Sequence, residues 1–203
     1  MRPHTLEEYI SQKHLVGPHG PITMMLKNDL IASMIFWGPP GTGKTTLAQM
    51  VAELSGRPFY ILSAINAGVK DVREVIDKAK SQNLFSGGKN PILFIDEIHR
   101  FNKSQQDSLL GAVEKGWITL IGATTENPSF EVVPALLSRA QVYTINSLER
   151  EDMEELIARA LIKDEYLSKK KITILENNAL IRYSGGDARK LLNGLELVVN
   201  SFG

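Results

Sequence analysis

The sequence contains no cysteine, which excludes disulfides, thiolate zinc sites and cysteine nucleophiles and suits a reducing cytoplasm. It has no surplus of either charge: 23 Lys and Arg stand against 23 Asp and Glu. A domain that carpets DNA or an anionic membrane normally carries a basic excess. Any nucleic-acid contact must therefore come from a local patch, from a ring of subunits, or from a region outside this chain. Long hydrophobic runs are missing too, since the longest apolar stretches reach about six residues against the ~20 needed to span a bilayer. The start, Met1-Arg2-Pro3-His4-Thr5-Leu6-Glu7-Glu8, lacks the apolar core of a signal peptide. The expectation is a soluble cytoplasmic protein with no membrane partner. His4, His14, His19 and His99 show no metal-ligand spacing, and no Ser/His/Asp set shares a context. No repeat or low-complexity segment is visible. What remains is ordinary globular composition, 43% hydrophobic and 23% charged over 203 residues, enough for one large domain with a small appendage.

Short apolar runs alternate with segments of helical period. Ser33–Trp37, Phe59–Leu62, Ile92–Ile95, Ile118–Ile121 and Val142–Ile145 read as strands. Continuous apolar runs of this kind mark strands buried on both faces of a parallel sheet. Between them, 47–54, 71–80 and 105–113 read as helices. The alternation predicts an α/β fold, a three-layer αβα sandwich around a parallel sheet. Near residue 147 the pattern changes. Residues 149–161, 174–183 and 188–199 read as helices, with Gly185-Gly186 closing the second and Asp187 capping the third. The division expected is 1–147 for the α/β domain and 148–203 for a small all-α lid.

Gly38-Pro39-Pro40-Gly41-Thr42-Gly43-Lys44-Thr45 fits G-x-x-x-x-G-K-S/T between a strand and a helix, the context that a P-loop requires. Glycines let successive backbone N–H groups point at phosphate oxygens, and the following helix, with Thr46 in its first turn, adds the positive end of its dipole. Lys44 is expected on the β- and γ-phosphates, and the Thr45 hydroxyl on Mg²⁺. Asp96 closes an apolar strand about fifty residues later, where a carboxylate can hold Mg²⁺ partly through water. Glu97 follows it and is the candidate for activating the attacking water. A nucleoside triphosphate and Mg²⁺ are thus the expected ligands; that the nucleotide is ATP is what the resemblance of the next motifs implies.

Asp96-Glu97, Gly122-Ala123-Thr124-Thr125 and the basic end of Leu136-Leu137-Ser138-Arg139 resemble the AAA+ ATPase plan. Asp96-Glu97-Ile98-His99-Arg100-Phe101-Asn102-Lys103, the run Gly122–Glu131 and Ala135-Leu136-Leu137-Ser138-Arg139-Ala140 resemble the RarA/MgsA family of replication-associated recombination proteins, to which the Werner-helicase-interacting ATPases belong. The resemblance runs from Arg2-Pro3 to Gly186-Asp187-Ala188-Arg189. It implies a sensor-1 residue at Thr124 or Thr125, of which strand alternation allows only one to face the phosphate, with motif alignment favouring Thr125. Arg139 is implied as an arginine finger acting in trans within a homo-oligomer, and Arg189 as sensor 2 carried by the lid. Gln12-Lys13-His14-Leu15 resembles the box lining the adenine in segment 1–20, with His14 and Leu15 as contacts. Ser63–Arg73 resembles the clamp-loader turn and helix facing DNA, where Lys70 and Arg73 share one side. Implied partners are DNA, as single-stranded ends or forks, and a single-stranded-DNA-binding protein; the implied location is the nucleoid within the cytoplasm.

The sequence departs from that family at Ser11, where the pattern usually has glycine, and it stops at Gly203 without the family's C-terminal helical domain, as expected of a fragment. His99 reads as a structural hydrogen-bonding residue. Competing readings remain. A Holliday-junction branch-migration motor shares the motifs. A protein remodeller wants an aromatic-plus-glycine pore loop, but Ile65-Asn66-Ala67-Gly68 has no aromatic, and Phe85-Ser86-Gly87 precedes the wrong strand. A GTPase would need Asn-Lys-x-Asp, which is absent. Small-molecule kinases lack the second-subunit arginine and helical tail. A nucleotide-gated scaffold would be expected to lack Glu97 or Arg139.

Overall fold

The computed structural model describes residues 3–83 and 89–202; Phe85-Ser86-Gly87 lie outside the described residues. The chain opens with α1 (Lys13–Val16) and α2 (Pro21–Lys27), then runs through β1 (Met34–Trp37), α3 (Lys44–Ser55), β2 (Phe59–Ser63) and α4 (Val69–Asn83). It continues with β3 (Ile92–Asp96), α5 (Lys103–Glu114), β4 (Thr119–Thr124), the short α6 (Pro128–Glu131) and α7 (Pro134–Leu137), and β5 (Gln141–Thr144). After these come α8 (Arg150–Lys163), α9 (Asn178–Ser184) and α10 (Ala188–Phe202).

The five strands form one parallel sheet in the order β2-β3-β4-β1-β5. Alternation along the central strands sorts side chains onto two buried faces. Met34, Phe36, Ile92, Phe94, Ile121 and Ala123 meet Leu47, Ala48 and Val51 of α3, with Leu15 and Ile22 from the N-terminal helices. Ile35, Leu93, Ile95 and Leu120 turn the other way, against Val72 and Ile76 of α4, Leu109 of α5 and Leu136 of α7. Each of the larger side chains among them (Val, Leu, Ile, Phe, Met), removed from water, stabilises the fold by about 1.5–3 kcal/mol. This is the three-layer αβα architecture. A third cluster, with Met153, Ile157, Ala160, Leu167, Leu191 and Leu195 at its centre, draws only on residues after 147.

Helix ends follow local chemistry. Asn102 caps α5 in a reciprocal capping box with Gln105. Gly185 ends α9 at φ 56°, and the Asp187 carboxylate accepts from the N–H groups of Arg189 and Lys190 to open α10. One element differs from expectation: the helix expected from 174 begins only at Asn178. Ile174, expected to open it, lies instead in an irregular segment and packs with Ile172 against the third cluster. Among the described residues no helix is long and apolar enough to cross a membrane.

Candidate nucleotide site

In a parallel sheet, ligands gather beyond the carboxyl ends of the strands, and the motif residues converge there. The loop between β1 and α3 turns through Gly41 at φ 69° and Gly43 at φ 92°, left-handed values that disfavour any side chain. Thr42 Oγ1 donates to the Pro39 carbonyl at 2.8 Å and stiffens the turn. Lys44 is only 7% exposed, its ammonium folded inside the loop and donating to the Gly38 and Pro39 carbonyls at 2.7 Å each. Burial pushes the Lys44 amine below its ordinary range, while the nearby Glu97 and Asp96 carboxylates pull it back up. Both acids are thus near enough for their charges to act on the ammonium. Thr45 and Thr46 follow in the first turn of α3, half-buried.

Asp96 ends β3 on the same face as Ile92 and Phe94, the α3 side of the sheet. Glu97 comes next. In β4, Thr124 continues the face of Gly122, whose neighbours are Ile98 and Ile35, and is fully buried. Thr125 follows the last residue of β4 and is half-buried.

Two segments flank the loop. Gln12 donates to the Asn146 carbonyl at 2.8 Å and accepts from the Asn146 N–H at 2.9 Å, while His14 Nε2 lies 3.0 Å from the Thr144 carbonyl. The N-terminal segment is thus fastened along the end of β5. His14 is exposed, whereas the Leu15 side chain sits in the core. From the other side the lid rests on the loop. Ala188 N–H donates to the Gly41 carbonyl at 3.0 Å, and the Asp187 carboxylate fills the space where a Cβ on Gly41 would stand. Arg189 is exposed, and its positive charge helps depress the Lys44 amine.

Arg139 is elsewhere. It follows α7 at the opposite, amino-terminal edge of the sheet, sharing a shallow depression with Ser33, Glu114 and Ile118. Its guanidinium donates to Glu114 Oε1 at 2.6 Å, to the Ala135 carbonyl at 2.7 Å and to Ser138 Oγ at 2.8 Å. The length of β1, about 13 Å at 3.3 Å per residue, separates that edge from the chain's own loop. Lys70 and Arg73 lie exposed along α4, beside one small groove.

Sequence reasoning missed Tyr9. Its ring is buried, its hydroxyl donates to the Thr42 carbonyl at 3.3 Å, and it packs where a side chain on Gly43 would go. Burial pushes its phenol well above the ordinary range, so it stays a neutral donor. No periodicity in the N-terminal segment announces it. Asp187 was legible only as a helix cap.

A parallel αβα sheet with a glycine-turned, lysine-filled loop opposite paired acids defines a P-loop nucleoside triphosphatase. The chain belongs to the ATPase family associated with various cellular activities (AAA), which it matches over residues 34–148. Within that family its relatives are replication-associated recombination proteins. It is 48% identical to replication-associated recombination protein A of Haemophilus influenzae, over 98% of this chain and 45% of that protein. It is 46% identical to ATPase WRNIP1 of Dictyostelium discoideum, over 99% of this chain and 23% of that protein. The chain therefore spans less than half the length of these relatives. Among solved structures it resembles the Thermotoga maritima RuvB Holliday junction branch migration motor, with a TM-score of 0.74 and 25% identity over 95% of this chain and 63% of that one.

Proposed function

We propose that this chain is the nucleotide-hydrolysing part of a replication-associated recombination protein, turning over ATP with Mg²⁺ in service of DNA work at replication forks. The observation that carries the reading is the gathering of Lys44, Asp96 and Glu97 around one glycine-turned loop. Residues 1–147 act as the nucleotide-binding body and 148–203 as its lid. Lys44 exchanges the Gly38 and Pro39 carbonyls for β- and γ-phosphate oxygens, and the loop's N–H groups from Gly38 to Thr46, with Pro39 and Pro40 shaping the entry, hold the remaining charge. Thr45 and Asp96 offer hard oxygen donors on the same face of the sheet and fit Mg²⁺ shared with phosphate, Asp96 partly through water. Bound there, Mg²⁺ supplies charge neutralisation at the β- and γ-phosphates.

Glu97 takes a proton from the attacking water. Thr125, just beyond β4, orients the γ-phosphate as sensor 1, and Arg189 closes over it from the lid. Segment 1–20 borders the adenine, through the backbone around His14 and Leu15. Arg139 stands a strand's length from its own loop, which supports its use on a neighbouring subunit's nucleotide after leaving Glu114. Lys70 and Arg73 contact DNA phosphates, one pair per subunit, which suits a neutral monomer assembled as a ring. A single-stranded-DNA-binding protein is a further partner, and the site of action is the nucleoid in the cytoplasm.

The test is Glu97→Gln. ATP affinity is expected to stay within about twofold while hydrolysis falls at least about a hundredfold, as loss of a general base does. Turnover equal to the unaltered chain would remove Glu97 from its role. For DNA, hydrolysis is measured with and without single-stranded ends across a salt series; stimulation fading with salt supports the reading, and none at any salt favours a nucleotide-gated scaffold.

A further inference from the structure

Glu97 adopts a left-handed backbone, φ 56° and ψ 47°, a conformation that costs a residue with a side chain roughly 1–2 kcal/mol. Such strain collects where a side chain must be aimed. Its carboxylate is aimed at His99: Nδ1 lies 3.4 Å from Glu97 Oε2 and 3.0 Å from Thr124 Oγ1. Thr124 is also bonded to the turn beyond β4, its hydroxyl 3.2 Å from the Glu126 carbonyl and 3.0 Å from the Glu126 N–H.

Hydrogen bookkeeping fixes the tautomer. A carbonyl has no proton to give, so the one hydroxyl hydrogen of Thr124 goes to Glu126. The contact with the imidazole then needs a proton on Nδ1. The carboxylate makes the same demand, because an unprotonated Nδ1 would set a lone pair against Oε2. The N–H is hydrogen-bonded to Thr124, and the Glu97 carboxylate lies beside the same nitrogen as a charge contact at 3.4 Å. The Thr124 contact is the shorter, so the hydroxyl anchors the ring and the carboxylate stays tethered but free to tilt.

We propose that His99 is the positioning residue of the hydrolytic site, its Nδ1–H holding the Glu97 carboxylate in line for the attacking water with Thr124 as anchor. The inference rests on Glu97 as the base. His99 acts through Glu97 alone and touches neither nucleotide nor water. The same hydrogen bonds continue into Glu126, at the head of the segment that runs through α6 and α7 to Arg139.

The experiment compares His99→Phe, His99→Asn, Glu97→Gln and the pair His99→Phe with Glu97→Gln. Affinity is read with a fluorescent ATP analogue, turnover under steady-state conditions, and residual turnover with radiolabelled ATP under excess enzyme. His99→Phe is expected to lower kcat by about ten- to a hundredfold while KM and nucleotide affinity stay within about twofold, the signature of a group that matters only in the chemical step. Unchanged affinity also verifies folding. Asparagine sets an amide N–H near the Nδ1 position, so His99→Asn is expected to recover most of the loss. In the Glu97→Gln background, His99→Phe is expected to cost nothing more, because its route is already cut. Full turnover in His99→Phe, an equal further loss in the Glu97→Gln background, or KM rising in step with the fall in kcat would each overturn the proposal. Undiminished turnover in Glu97→Gln itself would overturn the reading of the base beneath it.

Discussion

Replacing Gly41 by alanine puts the contact between loop and lid under direct strain. Gly41 sits at φ 69°, where an alanine costs about 1–2 kcal/mol. A Cβ there would lie 1.9 Å from Asp187 Oδ1, a distance no pair of atoms sustains. Asp187 must then move, and with it go the bonds from the Arg189 and Lys190 N–H groups that start α10, at 2.8 and 3.2 Å. Loss of such a cap costs about 1 kcal/mol. The bond from Ala188 N–H to the Gly41 carbonyl is pulled out of line as well, another ~0.5–1 kcal/mol. Stiffening of the unfolded chain by alanine returns about 0.4–1 kcal/mol. The net expectation is a destabilisation of about 2–3 kcal/mol, or a fall in Tm of about 4–12 °C for a chain of this size. Thermal unfolding followed by circular dichroism reads it. Combining Gly41→Ala with Asp187→Ala removes the collision, so the pair should lose at least about 1 kcal/mol less than the two single changes added together. A Gly41→Ala protein melting with the unaltered chain, or strict additivity in the pair, would mean that the lid does not rest on the loop.

Other consequences follow from the same geometry. Lys44→Ala should abolish ATP binding in a fluorescence titration, because the ammonium inside the loop is lost; retained affinity would contradict that assignment. Ser11 lies at φ 68°, so Ser11→Gly should relieve strain and stabilise by about 0.5–1 kcal/mol, measurable in urea, with any destabilisation counting against it. Glu8 ties α8 to the N-terminal segment. The His4 N–H and then Lys163 hold its carboxyl down at about 2, against an ordinary 4.5. A depressed carboxyl contributes stability above its unfolded value and loses it as acid protonates the folded form. The stability gap between the unaltered chain and Glu8→Gln should therefore be full above pH 4.5 and close towards pH 2; a gap independent of pH would show that the charge is irrelevant. Arg139→Ala should leave ATP affinity unchanged but lower turnover of the assembled protein by about 10³-fold or more.

The sheet, its layers and the loop were legible because they depend on short-range rules. Runs such as Ile92–Ile95 announce doubly buried strands, and Gly41 and Gly43 announce a turn that only glycine enters comfortably. The place of the acid pair after β3 was legible for the same reason, since it closes a continuous apolar strand. The start of α9 was not, because Ile174 gives the same apolar signal whether it opens a helix or packs from the segment before one, and packing in the lid decided. Thr124 and Thr125 illustrate the same limit at the site. Alternation says that they diverge, but only the neighbours of Gly122 say which way Thr124 points.

By itself, then, the sequence determined the class of protein: local backbone needs and charge placement specify a glycine-turned loop with a lysine and an acid pair without reference to the rest of the chain. Tertiary structure alone decided what surrounds them. The Tyr9 ring behind Gly43, the Asp187 carboxylate over Gly41, the imidazole between Thr124 and Glu97, and the removal of Arg139 to the far edge of the sheet all join residues distant in sequence. Their geometry follows from how the two buried faces and the lid pack, a sum of many small contacts that no linear pattern encodes.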